Sequence, residues 1–244
     1  MSLWGPIRVV ERTGSTNADL LAGVRAGTAA PGAVLVALDQ DAGRGRLDRR
    51  WYAAPGTSIA LSAAVRPPTP PDTWALLPLL CGLAVARVVR GYGLDARLKW
   101  PNDVLVGGRK LCGILVEVGA DPAGGLTAVA GIGVNVAQTR AELPGPQATS
   151  LALEGVNVGR IPVAAAVLHE LGTVLESWHT AAPALDAYRT LCATIGSAVR
   201  VQVDAATTIT GTAETVGDDG RLAVRADGAV RWFAVGDVVH IRGA

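Results

Sequence analysis

Lys99-Trp-Pro-Asn-Asp-Val-Leu-Val-Gly-Gly-Arg-Lys110 is the stretch on which the fold of this chain turns. Gly107-Gly108 is a strong hairpin turn between short β-prone runs. Strands are therefore expected at Ala96 to Trp100, Val104 to Val106 and Lys110 to Val118. The same stretch holds both lysines of the 244-residue chain, and the other 20 of its 22 basic residues are arginine. A composition rich in Ala, Gly, Val and Arg marks a bias that replaces lysine wherever arginine serves. Two lysines that survive it point to positions needing a compact ammonium on a flexible stem, not a planar guanidinium. A point charge on a phosphate or carboxylate in a tight pocket fits that need.

Upstream, Ile7 to Val10 reads as a strand, and Ser15 or Thr16 as the N-cap of a helix from Asn17 to Arg25. A strand at Ala33 to Leu38 leads into a polar loop, Asp39 to Arg50, closed by Trp51. Ser58 to Val65 is another strand, and the Pro-rich Pro67 to Pro71 feeds a long apolar helix, Asp72 to Arg90. Downstream come a strand at Leu126 to Val136, a Pro- and Gly-rich loop, and amphipathic helices near Ile161 to Trp178 and Pro183 to Thr194. From Ser197 onward short strands follow one another closely, a pattern that predicts a small β-barrel. The expected class is α+β, with one domain over 1–194 and a second over 195–244.

Half the residues are apolar and 18% are charged, which describes a compact globular protein. The formal charge of +1 gives no global attraction to nucleic acid or anionic membranes, so anion binding must come from local clusters. The N-terminus lacks a basic stretch followed by an apolar run, and no eighteen residues are uninterruptedly apolar. Neither a signal peptide nor a membrane span is expected. Cys81, Cys112 and Cys192 are odd in number with no Cys-x-x-Cys, and read as buried, reduced thiols of a cytoplasmic protein. His169, His179 and His240 have no metal-ligand spacing, and no residue is assigned as a metal ligand.

Asparagine is also scarce, and three of the four sit in short punctuated motifs: Ser15-Thr16-Asn17, Pro101-Asn102-Asp103 and Gly131-Ile-Gly-Val-Asn135. Asparagine alone favours turns and caps without any chemistry; together with both lysines it suggests a polar site. Gly43-Arg-Gly-Arg-Leu-Asp-Arg-Arg-Trp51 is the second chemical signal. Its glycines let backbone N–H groups converge on an anion, and its arginines supply bidentate donors. It lacks the Gly-Lys-Ser/Thr of a phosphate-binding Walker loop. A solvated surface loop and an arm gripping a nucleic-acid strand stay open beside the anion cradle.

Gly43-Arg44-Gly45-Arg46 through Arg49 and Trp51, then Lys99-Trp-Pro-Asn-Asp103 and Lys110-Leu-Cys-Gly-Ile-Leu-Val-Glu117, resemble the biotin–protein ligase family. Ser15-Thr16-Asn17, Gln40 and Gly131-Ile-Gly-Val-Asn135 fall where that family has matching elements. Five motifs in order, over nearly the whole chain, make the resemblance specific. It implies a class II aminoacyl-tRNA synthetase-like catalytic domain followed by an SH3-like barrel. It also implies the reaction: biotin and ATP give biotinyl-5′-AMP and pyrophosphate, then an acceptor lysine takes the biotinyl group and releases AMP. Positioning and preorganised positive charge should dominate such chemistry, with no protein nucleophile required.

Residue by residue, the resemblance implies that Ser15, Thr16, Asn17 and Gln40 bind the ureido end of biotin. Arg44, Gly45 and Arg46 would close over its tail and the phosphate, while Gly113 and Ile114 read either as its wall or as an ordinary buried strand. Lys110 would hold the carboxylate and then the adenylate oxygen, sharing the catalytic role with Arg46. Arg46, Arg49, Lys99, Asn102, Lys110 and Asn135 would bind ATP, with Mg2+ as the nucleotide's ion. Asp103 reads as structural, and Trp51 as packing over the loop. Two departures from relatives stand out: Asp48 replaces a loop glycine, and the Ala137 to Ala152 loop lacks a tryptophan that some relatives place against adenine. The implied acceptor is the biotin carboxyl carrier domain of acetyl-CoA carboxylase or related carboxylases. No helix-turn-helix precedes the catalytic domain, so no DNA partner is expected. A monomer or weak homodimer is expected, with Lys110 to Val118 and the barrel offering edge strands. Lipoate–protein ligase is the alternative of the same fold, and a non-enzymatic nucleotide- or nucleic-acid-binding module a remote one.

Overall fold

A computed structural model describes residues 3–47, 49–178, 182–203, 207–234 and 237–241, so Asp48 and His179 lie outside the described residues. The strand–helix–strand unit comes first: β1 (Ile7–Thr13), α1 (Thr16–Arg25) and β2 (Val34–Gln40). Ser15 is the N-cap of α1, extended in backbone and accepting from the Ala18 amide. Then follow β3 (Ser58–Val65), α2 (Leu77–Gly91), β4 (Ala96–Lys99), β5 (Asp103–Val106), β6 (Arg109–Ala120) and β7 (Leu126–Asn135). The apolar helix expected from Asp72 opens as a 3-10 turn over Pro71–Leu76 and becomes α-helical only at Leu77.

The seven strands form one mixed sheet in the order β1-β2-β3-β7-β6-β5-β4. Only β1 and β2 run parallel, because α1 crosses between them. Helices α2 and α3 (Arg160–Glu176) cover one face, and α4 (Ala182–Leu191) packs on α2. Strand alternation divides the side chains. On β3 and β7, Ile59, Leu61, Ala63, Ala128, Ala130 and Ile132 enter the main core beneath α2 and α3, whereas Ala64 and Val129 pack on Leu20, Leu21 and Val24 of α1. With ten residues, α1 covers only part of its face. The uncovered part is where the site lies.

The expectation of an edge at Lys110 to Val118 holds for only part of β6, because β5 covers Arg109 to Gly113 and stops there. Strand β6 pairs with β7 from Cys112 to Ala120 and with β5 from Arg109 to Gly113, so among the described residues Ile114 to Ala120 have β7 as their one strand partner. The edges of this sheet are β1 and β4. The 21 residues Pro71–Gly91 are long and apolar enough to cross a membrane, but two-thirds of that window is buried in the protein core.

The closely spaced C-terminal strands are β8 (Ala198–Gln202), β9 (Thr208–Val216), β10 (Leu222–Ala226), β11 (Ala229–Phe233) and β12 (Asp237–His240). They form a five-stranded antiparallel sheet in the order β11-β10-β9-β8-β12. Its apolar side, including Val199, Val201, Leu222 and Val224, merges with the main core. Trp100, 1% exposed, ties the two together: its indole Nε1 donates to Gly220 O at 2.9 Å, and its amide donates to Thr194 Oγ1 at 3.0 Å. The Lys99-Trp100 motif is thus fastened to the C-terminal sheet. All three cysteines are free and buried.

Candidate active site

The start of α1 supplies a buried polar end. Gln40 Oε1 accepts from the Thr16 amide at 2.8 Å and from Thr16 Oγ1 at 3.1 Å. Ser62 Oγ, on β3, lies 2.8 Å from Thr16 Oγ1 and 3.3 Å from Asn17 Oδ1. Asn17 Nδ2 donates to Glu117 Oε2 at 2.6 Å. Ser15, Thr16, Asn17 and Ser62 are all buried, so their hydroxyls and amides are oriented by one another, not by solvent.

Next to this cluster the sheet face is stripped of side chains. Gly113 on β6 stands opposite Gly133 on β7, and Gly131 lies two residues further along β7. Trp51 lies flat over the first pair: a Cβ at Gly133 would fall 2.6 Å from its ring, and one at Gly113 would fall 2.9 Å from it. A Cβ at Gly131 would meet Asn17 Oδ1 at 2.7 Å. Glycine is required here by close approach, not by backbone angle. The indole Nε1 of Trp51 is buried with no acceptor among the described residues.

Beyond the glycines come the cations. Lys110 Nζ lies 2.6 Å from Asp103 Oδ1 and 5.8 Å from the Trp51 ring centre. Its backbone is clamped to the 137–152 segment, donating to Gln147 O at 2.7 Å and accepting from Thr149 N at 2.9 Å. Asn102 Nδ2 donates to Ile114 O at 2.9 Å, while its Oδ1 accepts from Arg46 at 3.3 Å. The arginine loop is folded back on the sheet as a small hairpin, with Gly45 N donating to Arg49 O and Trp51 N to Gly43 O. Its Arg44 grips Glu117, with both guanidinium nitrogens 3.0 Å from carboxylate oxygens.

One pocket joins these parts. Its walls include Ser15, Thr16, Asn17, Gln40, Arg44, Gly45, Arg46, Arg49, Lys99, Asn102, Lys110 and Gly113, all expected at a site from the sequence. From Gln40 on β2 to Lys99 on β4 it crosses five strand spacings, about 24 Å. Among the described residues the lining carries six cations (Arg44, Arg46, Arg49, Arg50, Lys99 and Lys110) and one carboxylate, that of Asp103. Such a slot suits a long, anionic ligand with one neutral polar end.

Asn135 is the exception. It is 4% exposed and does not line the pocket. Its Nδ2 donates to Thr149 O at 2.8 Å and its Oδ1 accepts from Gln138 at 3.0 Å, so both ends are spent on the 137–152 segment. Ser62, Arg50, Gly131, Gly133 and Glu117 took no site role in the sequence reading. A hydroxyl in the middle of the apolar run Ser58–Val65, and a Gly-x-Gly inside a strand, were the available signals.

Residues 9–136 match the Biotin/lipoate A/B protein ligase family, and residues 194–241 match the Biotin protein ligase C terminal domain. The chain is 43% identical to the biotin--[acetyl-CoA-carboxylase] ligase of Mycobacterium tuberculosis, over 98% of this chain and 90% of that protein. It is 32% identical to the bifunctional ligase/repressor BirA of Escherichia coli, over 96% of this chain and 74% of that protein. In fold it is similar to the Aquifex aeolicus biotin protein ligase solved with biotin and ATP. That match has a TM-score of 0.82 at 24% identity and covers 98% of this chain and 100% of that one.

Proposed function

Since this chain belongs to the biotin protein ligase branch of the biotin/lipoate A/B protein ligase family, we propose that it activates biotin with ATP and transfers it to a carrier-protein lysine. The observation that carries this reading is the slot itself: a buried neutral polar cluster at one end, six cations toward the other, and between them a glycine floor on which the Trp51 ring rests. The biotin carboxylate oxygen attacks the α-phosphorus of ATP, the bond to the bridging oxygen breaks, and pyrophosphate leaves. The acceptor amine then attacks the acyl carbon of biotinyl-5′-AMP, loses a proton, and expels AMP.

Each residue's part follows from its place in the slot. Ser15, Thr16, Asn17 and Gln40 take the ureido ring, whose donors and acceptors must be satisfied when buried. Trp51, seated on Gly113 and Gly133, walls the apolar rings from one side. Lys110 exchanges Asp103 for the biotin carboxylate and follows that oxygen into the adenylate. Arg46, Arg49, Lys99 and Asn102 hold the nucleotide phosphates, where preorganised charge counts most. Asn135 serves the nucleotide side indirectly, by shaping the 137–152 segment. Among the described residues no three His, Cys, Asp or Glu side chains gather to cage a metal. Magnesium enters as the ion of ATP, bound to its phosphate oxygens.

We place the acceptor among biotin carboxyl carrier domains, because the Mycobacterium tuberculosis relative is named for acetyl-CoA carboxylase. A division near residue 195, a cytoplasmic location and a monomer or weak homodimer belong to the same reading, supported by the separate C-terminal sheet and the buried free thiols. The test is to supply ATP with biotin or lipoate and identify the adenylate formed. Biotinyl-AMP with stoichiometric pyrophosphate is expected. Lipoyl-AMP instead, or salt-sensitive oligonucleotide binding without pyrophosphate release, would sink the proposal.

A further inference from the structure

Glu117 has no part in the chemistry above, yet the arginine loop and the neutral end of the slot meet on its carboxylate. It lies on β6, four residues beyond Gly113 and so on the same face of the sheet. Its Oε2 accepts from Asn17 Nδ2 at 2.6 Å and from Arg44 at 3.0 Å, while its Oε1 lies 3.0 Å from the other guanidinium nitrogen of Arg44. Three segments remote in sequence thus share one carboxylate: the first turn of α1, the base of the loop, and a strand held in the sheet. Arg44 sits where the loop hairpin begins, bridged to Arg50.

We propose that Glu117 is a positioning residue that couples closure of the arginine loop to the biotin end of the slot. For the loop to open, Arg44 must leave the carboxylate that also orients Asn17. A ligand that fixes Asn17 therefore favours the closed loop, and a closed loop holds the ligand, since such coupling is reciprocal. The consequence is retention of biotinyl-AMP behind a loop latched by Glu117 until the acceptor arrives. This rests on the biotin-adenylating reading given above.

The experiment has two arms on the full chain. In the first, biotinyl-AMP is formed in place, chased, and its release followed in the wild type, Glu117→Gln, Arg44→Gln and the double variant. Release from Glu117→Gln is expected to be roughly tenfold faster, with the second substitution adding little because both remove one interaction. Release within about twofold of wild type, or effects that multiply in the double variant, would overturn the latch. The second arm is amide hydrogen exchange of residues 43–51 without ligand, where Glu117→Gln should raise exchange and Glu117→Asp should do so less. Unchanged exchange in a folded variant counts against the latch. If the wild type forms no adenylate, the activity reading falls while the exchange arm still decides the latch. Glu117→Asp serves in both arms should the Gln variant not fold.

Discussion

Lys110 Nζ sits 2.6 Å from Asp103 Oδ1, and among the described residues this ammonium is the polar partner of a carboxylate oxygen otherwise buried without a hydrogen bond. The pair spans β5 and β6, so the lysine is held over the slot before any ligand arrives. An adjacent Cβ at Gly113 would come within 3.2 Å of Lys110 Cε and Nζ, which shows how little room surrounds the stem.

Lys110→Arg should therefore fail despite preserving charge. A planar fork cannot take the same position between Asp103, Trp51 and Gly113, and it cannot follow one oxygen from carboxylate to anhydride. Biotin-dependent pyrophosphate release should fall on the order of a hundredfold. Near-normal turnover would refute the inference drawn from lysine scarcity.

Gly133→Ala should disable the biotin wall. Its Cβ would stand 2.6 Å from the Trp51 ring, so the indole must move and carry the loop with it. The KM for biotin should rise by about tenfold or more, while Gly133→Ala combined with Trp51→Leu should recover part of the loss. Steady-state kinetics of both variants checks this; a wild-type KM in the single variant would contradict it.

Asn135→Ala should act on stability before it acts on ATP. It leaves Thr149 O and Gln138 without their buried partners, for a loss of about 2–4 kcal/mol by urea unfolding. A raised KM for ATP at unchanged stability would instead restore the direct nucleotide contact expected from the sequence.

The buried thiols predict alkaline sensitivity. Burial pushes Cys81 from the ordinary thiol value of 9.0 up to about 12, and raises Cys112 and Cys192 in the same direction. The folded state thus keeps these thiols neutral after the unfolded chain has begun to ionise. Stability from Cys81 is full below pH 9.0 and is lost as pH rises toward about 12, at about 1.4 kcal/mol per pH unit. Cys81→Ala should flatten the fall of the urea midpoint between about pH 9 and about pH 11. An equal slope in both proteins would mean that this thiol is not the titrating group.

Local features of the chain were legible without coordinates. The apolar run Ser58–Val65 read as a strand, Gly107-Gly108 as a hairpin turn and Ser15 as a helix cap, because each depends on neighbours within a few residues. The expected edge at Lys110 to Val118 held only beyond Gly113, for the opposite reason. Whether a strand lies inside a sheet depends on β7 and β5 coming to flank it, which its own sequence does not encode.

The site divides in the same way. Residue chemistry and scarcity picked out Lys99, Lys110, the asparagines and the arginine loop as sequence features, and the family motifs attached a reaction to them. Only the tertiary structure could withdraw Asn135 from the slot, bare Gly113, Gly131 and Gly133 as its floor, and bring Glu117 to Asn17 across 100 residues of chain. Composition and periodicity record what each residue can do and which face it takes. Which partner it meets is decided by the register of strands distant in sequence, and at the two lysines that register gave Lys110 to Asp103 and set Lys99 across the slot from the polar end.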